Sequence, residues 1–197
     1  MLNISLLIAC VLAYLLGSLS SAILVCKFLD LSDPRTQGSQ NPGATNVLRI
    51  GGKTAALLTL AGDMLKGMIP VFIAKFFDFS NLDLSLIALS AFIGHLYPIF
   101  FRFKGGKGVA TLLGVTLALS WPLGLALIAT WLLVALSSRY SSLAALLMSL
   151  GLPLYAWYLL GLQAAIVLAV MSVLLIIRHR SNIQKLFKGT ESKIGRR

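Results

Sequence analysis

The chain has 197 residues, 58% of them hydrophobic, and a mean hydropathy of +0.90. That is too apolar for a soluble domain. Seventeen Lys and Arg against six Asp and Glu give a net charge of +11. In a soluble protein this would point to nucleic acid. Here nucleic acid is set aside as a partner, because the bias of cations toward one side of a membrane accounts for most of the charge.

A helix needs roughly 20 apolar residues to cross ~30 Å of hydrocarbon. Seven apolar segments occur, at about 4–26, 54–76, 84–101, 109–120, 122–137, 142–160 and 163–177. The expected fold is therefore all-α. It is a polytopic integral membrane bundle of about seven transmembrane helices, some of them short, forming one domain over 1–197. Residues 109–120 supply only ~18 Å of helix. They form either a short helix buried among others or half of a long helix broken at Pro122. Five or six spans is the alternative count. The first span lacks a basic leader before its apolar run and is not expected to be a cleaved signal peptide. Cys10 and Cys26 are expected on one helix, ~24 Å apart, and so cannot bridge.

Cations alternate between the connections. Lys27, Arg35, Arg49 and Lys53 lie in 27–53, Arg102, Lys104 and Lys107 in 102–108, and Arg139 in 138–141. The tail carries Arg178, Arg180, Lys185, Lys188, Lys193, Arg196 and Arg197. The connections 77–83, near 121 and 160–162 carry none. With seven spans this places the N-terminus outside and the C-terminus in the cytoplasm. Lys75 is the one cation near the outer end, expected to snorkel past Asp78.

Three polar stretches share the basic side. In the first, Asp33-Pro34 and Asn41-Pro42 impose turn or extended geometry, and Gly38 and Gly43 permit positive φ. Asn46 is expected to start a short helix carrying Arg49, with Thr54 capping the second span. Ser39, Asn41, Thr45, Asn46 and Arg49 together offer hydroxyls, amides and a guanidinium able to grip a phosphate with two hydrogen bonds. Ser39 alone reads more simply as a turn serine.

The second stretch contains Lys104-Gly105-Gly106-Lys107-Gly108-Val109-Ala110-Thr111. Glycines let backbone N–H groups converge on an anion, and a helix begins directly after them. Either this is an ordinary basic turn or it is an oxyanion site; the Walker spacing is absent. The third stretch contains Arg178-His179-Arg180-Ser181-Asn182. His179 and Asn182 share a helix face, and the flanking cations favour a neutral imidazole. The competing reading is an interfacial basic anchor.

Inside the spans, Asp63 and Lys66 are spaced either to pair with each other or to line the polar cavity, and His95 is expected to be a packed histidine rather than a catalyst. Gly17, Ser18, Ser21 and Ala22 form a small-residue packing face. Trp121, Trp157 and Tyr158 read as an aromatic belt at the outer ends. Two histidines, two cysteines and no carboxylate cluster give no support for a metal site. A hydrolase elbow, G-x-S-x-G, is also absent.

Three stretches resemble the motifs of the bacterial membrane acyltransferases called PlsY, with GSLSSA at 17–22 as a further match. They are DPRTQGSQNPGATNVLR (33–49), GHLYPIFFRFKGGKGVAT (94–111) and RHRSNIQKLFKGTESK (178–193). The resemblance covers essentially the whole chain. It implies a cell inner membrane enzyme with its site on the cytoplasmic side. Such an enzyme moves the acyl group of an acyl phosphate to glycerol 3-phosphate, making lysophosphatidic acid and phosphate without a cofactor. By the same resemblance, Ser39, Arg49, Lys104, His179 and Asn182 match activity positions, Lys104 to Gly108 hold glycerol 3-phosphate, and Glu191 is structural.

Acyl phosphate is a mixed anhydride with a good leaving group. The chief demand on the enzyme is to bring two anions together, and at 4 Å and ε ≈ 20 their repulsion costs roughly 4 kcal/mol. Lys104, Lys107, Arg49 and Arg139 are the cations expected to offset it. Thr111 closes the glycine motif and is expected to be a phosphate ligand with it. Ser142, near Arg139, is either a phosphate ligand or a helix N-cap. The base is either His179 or a substrate phosphate, and transfer is expected to be direct, without an acyl-enzyme. The rival reading is an anion or phosphate transporter. Against it, the polar residues gather at one face instead of running through the membrane.

Overall fold

A computed structural model describes residues 4–195; Arg196 and Arg197, counted above among the tail cations, lie outside them. Among the described residues every regular element is helical. The helices are α1 (Ile4–Gly17), α2 (Ser21–Phe28), α3 (Ala44–Ala74), α4 (Asn81–Leu96), α5 (Val109–Leu119), α6 (Trp121–Ser138), α7 (Ser141–Leu160), α8 (Leu162–Arg178) and α9 (Arg180–Phe187). A single 3-10 turn, Ile99–Phe101, follows α4.

Five segments are long and apolar enough to cross a membrane: Ile4–Phe28, Ala44–Ala74, Asn81–Phe101, Trp121–Ser138 and Ser141–Leu160. A sixth is counted if α8 and α9, bent by 58°, are taken as one span. The seventh apolar stretch is α5, with 11 residues, about 16 Å of helix. It is nevertheless a helix of its own. Extended Ser120 (φ −156°) separates it from α6, whose first turn holds Pro122. The spans expose many large apolar side chains, including Leu57, Leu133, Leu136 and Tyr158, as a lipid-facing surface requires.

The bundle packs through small residues. α1 lies on α4 and α3 on α5, while α7 lies between α6 and α8. A Cβ on Gly17 would stand 2.1 Å from the Ala91 carbonyl oxygen, and one on Gly94 2.3 Å from that of Tyr14. These backbones therefore touch where glycine alone fits. The core between them holds Phe92, Leu112, Met148, Leu152, Leu168 and Met171. The first span is not one continuous helix, as Cys10 and Cys26 were expected to share. It breaks at Ser18–Ser20, where Lys66 Nζ donates to the Leu19 carbonyl at 2.6 Å. Lys66 also pairs with Asp63 at 2.9 Å, as their spacing predicted.

α3 and α5 run in the same direction. Thr111 Oγ1 donates to the Asp63 carbonyl, and farther along Lys75 Nζ donates to the Leu119 carbonyl, each at 3.0 Å. Lys75 thus ends α5 instead of snorkelling past Asp78. α3 begins at Ala44 and continues past Thr54 with a break at Gly52 (φ 76°, ψ −169°), so Thr54 caps nothing. The glycine turn before α5 lies near the level of Asp63, about 15 Å along α3 from Lys53. α5 is short because the turn feeding it is sunk into the bundle.

Candidate functional site

The sunken turn is held by its neighbours' main chain. The Gly106 N–H donates to the His95 carbonyl at 3.3 Å. A Cβ on Gly105 would stand 2.1 Å from that same oxygen, and one on Gly106 2.3 Å from His95 Nε2. Gly108 is left-handed (φ 92°) and starts α5. The glycines are therefore required for close approach, and the Gly106 amide is already spent. The expected cradle of bare amides is narrower than the motif suggested.

Arg178 fixes the turn from the other side. Its Nε donates to the Gly106 carbonyl at 3.1 Å and an Nη to the Gly105 carbonyl at 2.7 Å. The guanidinium lies 5.5 Å from the centre of the Tyr97 ring. Sequence reasoning treated Arg178 only as a flanking cation. Its partners are main-chain carbonyls, which leave no mark in a sequence.

Lys107 donates to Asn182 Oδ1. Asn182 Nδ2 donates to Glu191 Oε1 at 2.7 Å, and the same oxygen accepts from Ser142 Oγ at 2.7 Å. One chain of polar contacts thus ties the glycine turn to α9, the tail and α7. Burial pulls the Lys107 ammonium below the usual lysine pKa; Glu191 opposes that shift, while Lys185, Arg178 and Arg49 add to it. Arg49 is exposed, and its positive charge adds to the lowering at Lys107.

His179 is buried at 3% exposure, and its Nδ1 lies 2.9 Å from the Leu175 carbonyl. A carbonyl only accepts, so Nδ1 carries the hydrogen and Nε2 keeps the lone pair of the neutral ring. The charged groups acting on His179 are Lys107, Arg178 and Glu191.

The first loop lies against the turn: the Pro42 carbonyl stands 3.0 Å from the place of a Gly106 Cβ. Asn46 is buried, and its amide is fully used. Its Oδ1 accepts from the Ser39 N–H at 2.9 Å, while its Nδ2 donates to the Pro34 and Gln37 carbonyls at 2.9 and 3.0 Å. Asn46 therefore builds the loop and does not face a phosphate. Ser39 and Thr45 are exposed, and Asn41 is half-buried with its carbonyl accepting from the Gly43 N–H at 2.9 Å. The Arg35 guanidinium, hydrogen-bonded to Asp33, holds that carboxyl below its usual pKa.

Three other expected phosphate ligands are committed elsewhere. The buried Thr111 hydroxyl joins α5 to α3. Ser142 lies inside α7, whose cap is Tyr140, and donates to Glu191; it is neither an N-cap nor a free hydroxyl. Arg139 donates through an Nη to the Ile194 carbonyl at 3.2 Å. A cleft of about 880 Å³ opens beside this cluster. Lys104, Gly105 and Arg178 line it together with the Asp33–Arg35 pair, Phe100, Phe101 and Phe103. A basic floor with an aromatic wall suits an amphiphilic anion.

The family model described as glycerol-3-phosphate acyltransferase matches residues 7–189. A glycerol-3-phosphate acyltransferase of Methylococcus capsulatus is 54% identical over 184 residues, covering 93% of each chain. One of Shewanella loihica is 53% identical over 185 residues, covering 94% of this chain and 91% of its own. Two crystal structures of PlsY (YgiH), an integral membrane glycerol 3-phosphate acyltransferase, share the fold. The glycerol 3-phosphate form has a TM-score of 0.92 at 40% identity, covering 97% of this chain and 96% of its own. The lysophosphatidic acid form has a TM-score of 0.89 at 39% identity, with the same coverage. The chain belongs to the glycerol-3-phosphate acyltransferase family and is an integral membrane acyltransferase of it.

Proposed function

We propose that the enzyme takes its acyl group from an acyl phosphate and passes it directly to the 1-hydroxyl of glycerol 3-phosphate. The products are lysophosphatidic acid and inorganic phosphate. The site opens on the cytoplasmic side of a bacterial inner membrane, with the N-terminus outside. The observation that carries this reading is a sunken turn that bears Lys107, is braced by Arg178 and is met by the first loop at Pro42, beside a cleft lined by Lys104 and phenylalanines. Two phosphorylated substrates repel one another, and such a cluster of cations offsets that repulsion.

In this reading Lys104, Lys107 and Arg49 hold the phosphates, and the main-chain turn, braced by Arg178, sets their spacing. Ser39 stands at the exposed edge of the first loop. Asn182 and Glu191 orient Lys107. The hydroxyl of glycerol 3-phosphate attacks the acyl carbonyl, the carbonyl–phosphate bond breaks, and phosphate leaves. The hydroxyl proton passes to His179 Nε2 or to a substrate phosphate, which is basic near neutral pH. Holding both substrates in line supplies up to ~7–11 kcal/mol of the barrier.

The test is direct. Purified protein is supplied with palmitoyl phosphate and glycerol 3-phosphate, then with acyl-CoA or acyl carrier protein as donor instead. Equal amounts of lysophosphatidic acid and phosphate from acyl phosphate alone are expected. Turnover with acyl-CoA alone, or vesicle uptake of phosphate without product, would overturn the proposal.

A further inference from the structure

We propose that Arg139 is a positioning residue: it anchors the tail so that Glu191 is held against Ser142 and Asn182. The inference rests on the reading of Lys107, Asn182 and Glu191 as part of the site. It gives Arg139 a role other than phosphate binding.

The tail forms a strap fastened at two ends. At the first, α9 is closed by Gly189, which is left-handed (φ 67°), and the Thr190 N–H donates to the Lys185 carbonyl at 2.9 Å. At the second, the Ile194 N–H donates to the Arg139 carbonyl at 2.7 Å, and an Arg139 Nη returns a bond to the Ile194 carbonyl at 3.2 Å. Lys193 Nζ lies 5.5 Å from the centre of the Tyr140 ring beside them.

Glu191 sits between the two fastenings, and its Oε1 accepts from both Ser142 and Asn182. Asn182 in turn receives Lys107. A strap fastened only at Gly189 leaves Glu191 free to swing away. Lys107 then loses both its indirect orientation and the opposing charge. The backbone of Arg139 suits an anchor. It ends α6 in the left-handed region (φ 63°), where its carbonyl caps no further turn and is turned to the tail.

Three variants are compared in the acyl phosphate assay. Arg139→Gly removes the side chain without straining the backbone, a stop after Ser192 removes Ile194 but keeps Glu191, and the third combines both. Each single variant is expected to lose about 5- to 20-fold in kcat/KM, with the same division between kcat and KM. The combination is expected to be no worse than the poorer single, since both cut one connection. Arg139→Lys, which still donates to one carbonyl, is expected to keep most activity. In the Arg139→Gly protein, trypsin is expected to cut after Lys188 faster than in wild type, at an unchanged melting temperature.

A fully active truncation beside a crippled Arg139→Gly overturns the anchor, as does strict multiplication of the two losses. An inactive wild type sinks the reading of the site instead, and leaves the trypsin comparison to judge the strap.

Discussion

Lys107, in the glycine turn, donates to the side-chain oxygen of Asn182, which is 75 positions later in the chain. This contact joins two motifs that the sequence presents separately. It also explains why an asparagine serves at position 182: its amide group accepts from Lys107 and donates to Glu191 at the same time. Asn182→Ala leaves both charged groups short of a partner. A lost hydrogen bond to a charged group costs about 1.5–3 kcal/mol, so a fall of roughly 10- to 100-fold in kcat/KM is expected. Steady-state kinetics on the purified variant checks this. Asn182→Asp, which cannot donate to Glu191, is expected to be as poor.

The position of Lys107 sets a pH dependence. Burial lowers its pKa from the lysine value, with Glu191 only partly restoring it. The charged form dominates below the folded-state pKa and is lost as pH rises through it. The alkaline limb of kcat/KM therefore lies below the ordinary lysine value of about 10.4. Lys107→Arg is expected to move that limb up beyond the measurable range. Stability responds with the opposite sign, because the unfolded chain binds more protons between the two pKa values. This group therefore makes the protein more stable as pH rises through that window.

Arg178 bridges two carbonyls with two nitrogens. A lysine at this position offers one ammonium and no fork. Arg178→Lys is expected to lose about 10-fold in kcat/KM, with KM for glycerol 3-phosphate rising, because the turn loses one of its two hydrogen bonds. An unchanged KM would show that the turn keeps its shape without the bridge.

Gly105→Ala and Gly106→Ala place a methyl group onto the His95 carbonyl and ring respectively. Overpacking of this kind costs about 1–3 kcal/mol, and here the cost falls on the turn that carries Lys104 and Lys107. Both variants are expected to lose nearly all turnover while the protein still purifies as a folded bundle. Circular dichroism and size-exclusion chromatography in detergent, beside the assay, separate the two effects.

Asp63 and Lys66 are buried at 2% and 5% exposure and pair within the bundle. Removing one partner of a buried pair costs about 3–5 kcal/mol. Asp63→Ala is therefore expected to reduce the yield of folded protein sharply. The double variant Asp63→Ala, Lys66→Met is expected to recover part of it. Expression followed by thermal denaturation measures this.

His179 offers a sharper question about the base. If Nε2 takes the hydroxyl proton, His179→Ala loses about 100-fold or more. If a substrate phosphate takes it, the same variant loses only what packing around Leu175 requires. Single-turnover rates for the variant, measured against pH, distinguish these outcomes.

The all-helical membrane fold was legible in composition and in seven apolar runs, because burial in lipid demands helices and length alone sets a span. The Asp63–Lys66 pair was legible too, since helical spacing places i and i+3 side by side. The three polar motifs were legible as groups of phosphate-loving residues. Their individual duties were not. Asn46, Thr111, Ser142 and Arg139 all have the chemistry of phosphate ligands, yet each is bonded to another part of the chain. Hydrogen-bond capacity belongs to the residue type, but the partner is chosen by tertiary proximity. The same holds for Arg178 and Glu191, whose partners lie 73 and 49 positions away. Local order along the chain thus determined which surface meets lipid and which end gathers the cations. Packing decided which of those polar groups remain free for a substrate, because a side chain already satisfied inside the protein gains little by turning to anything else.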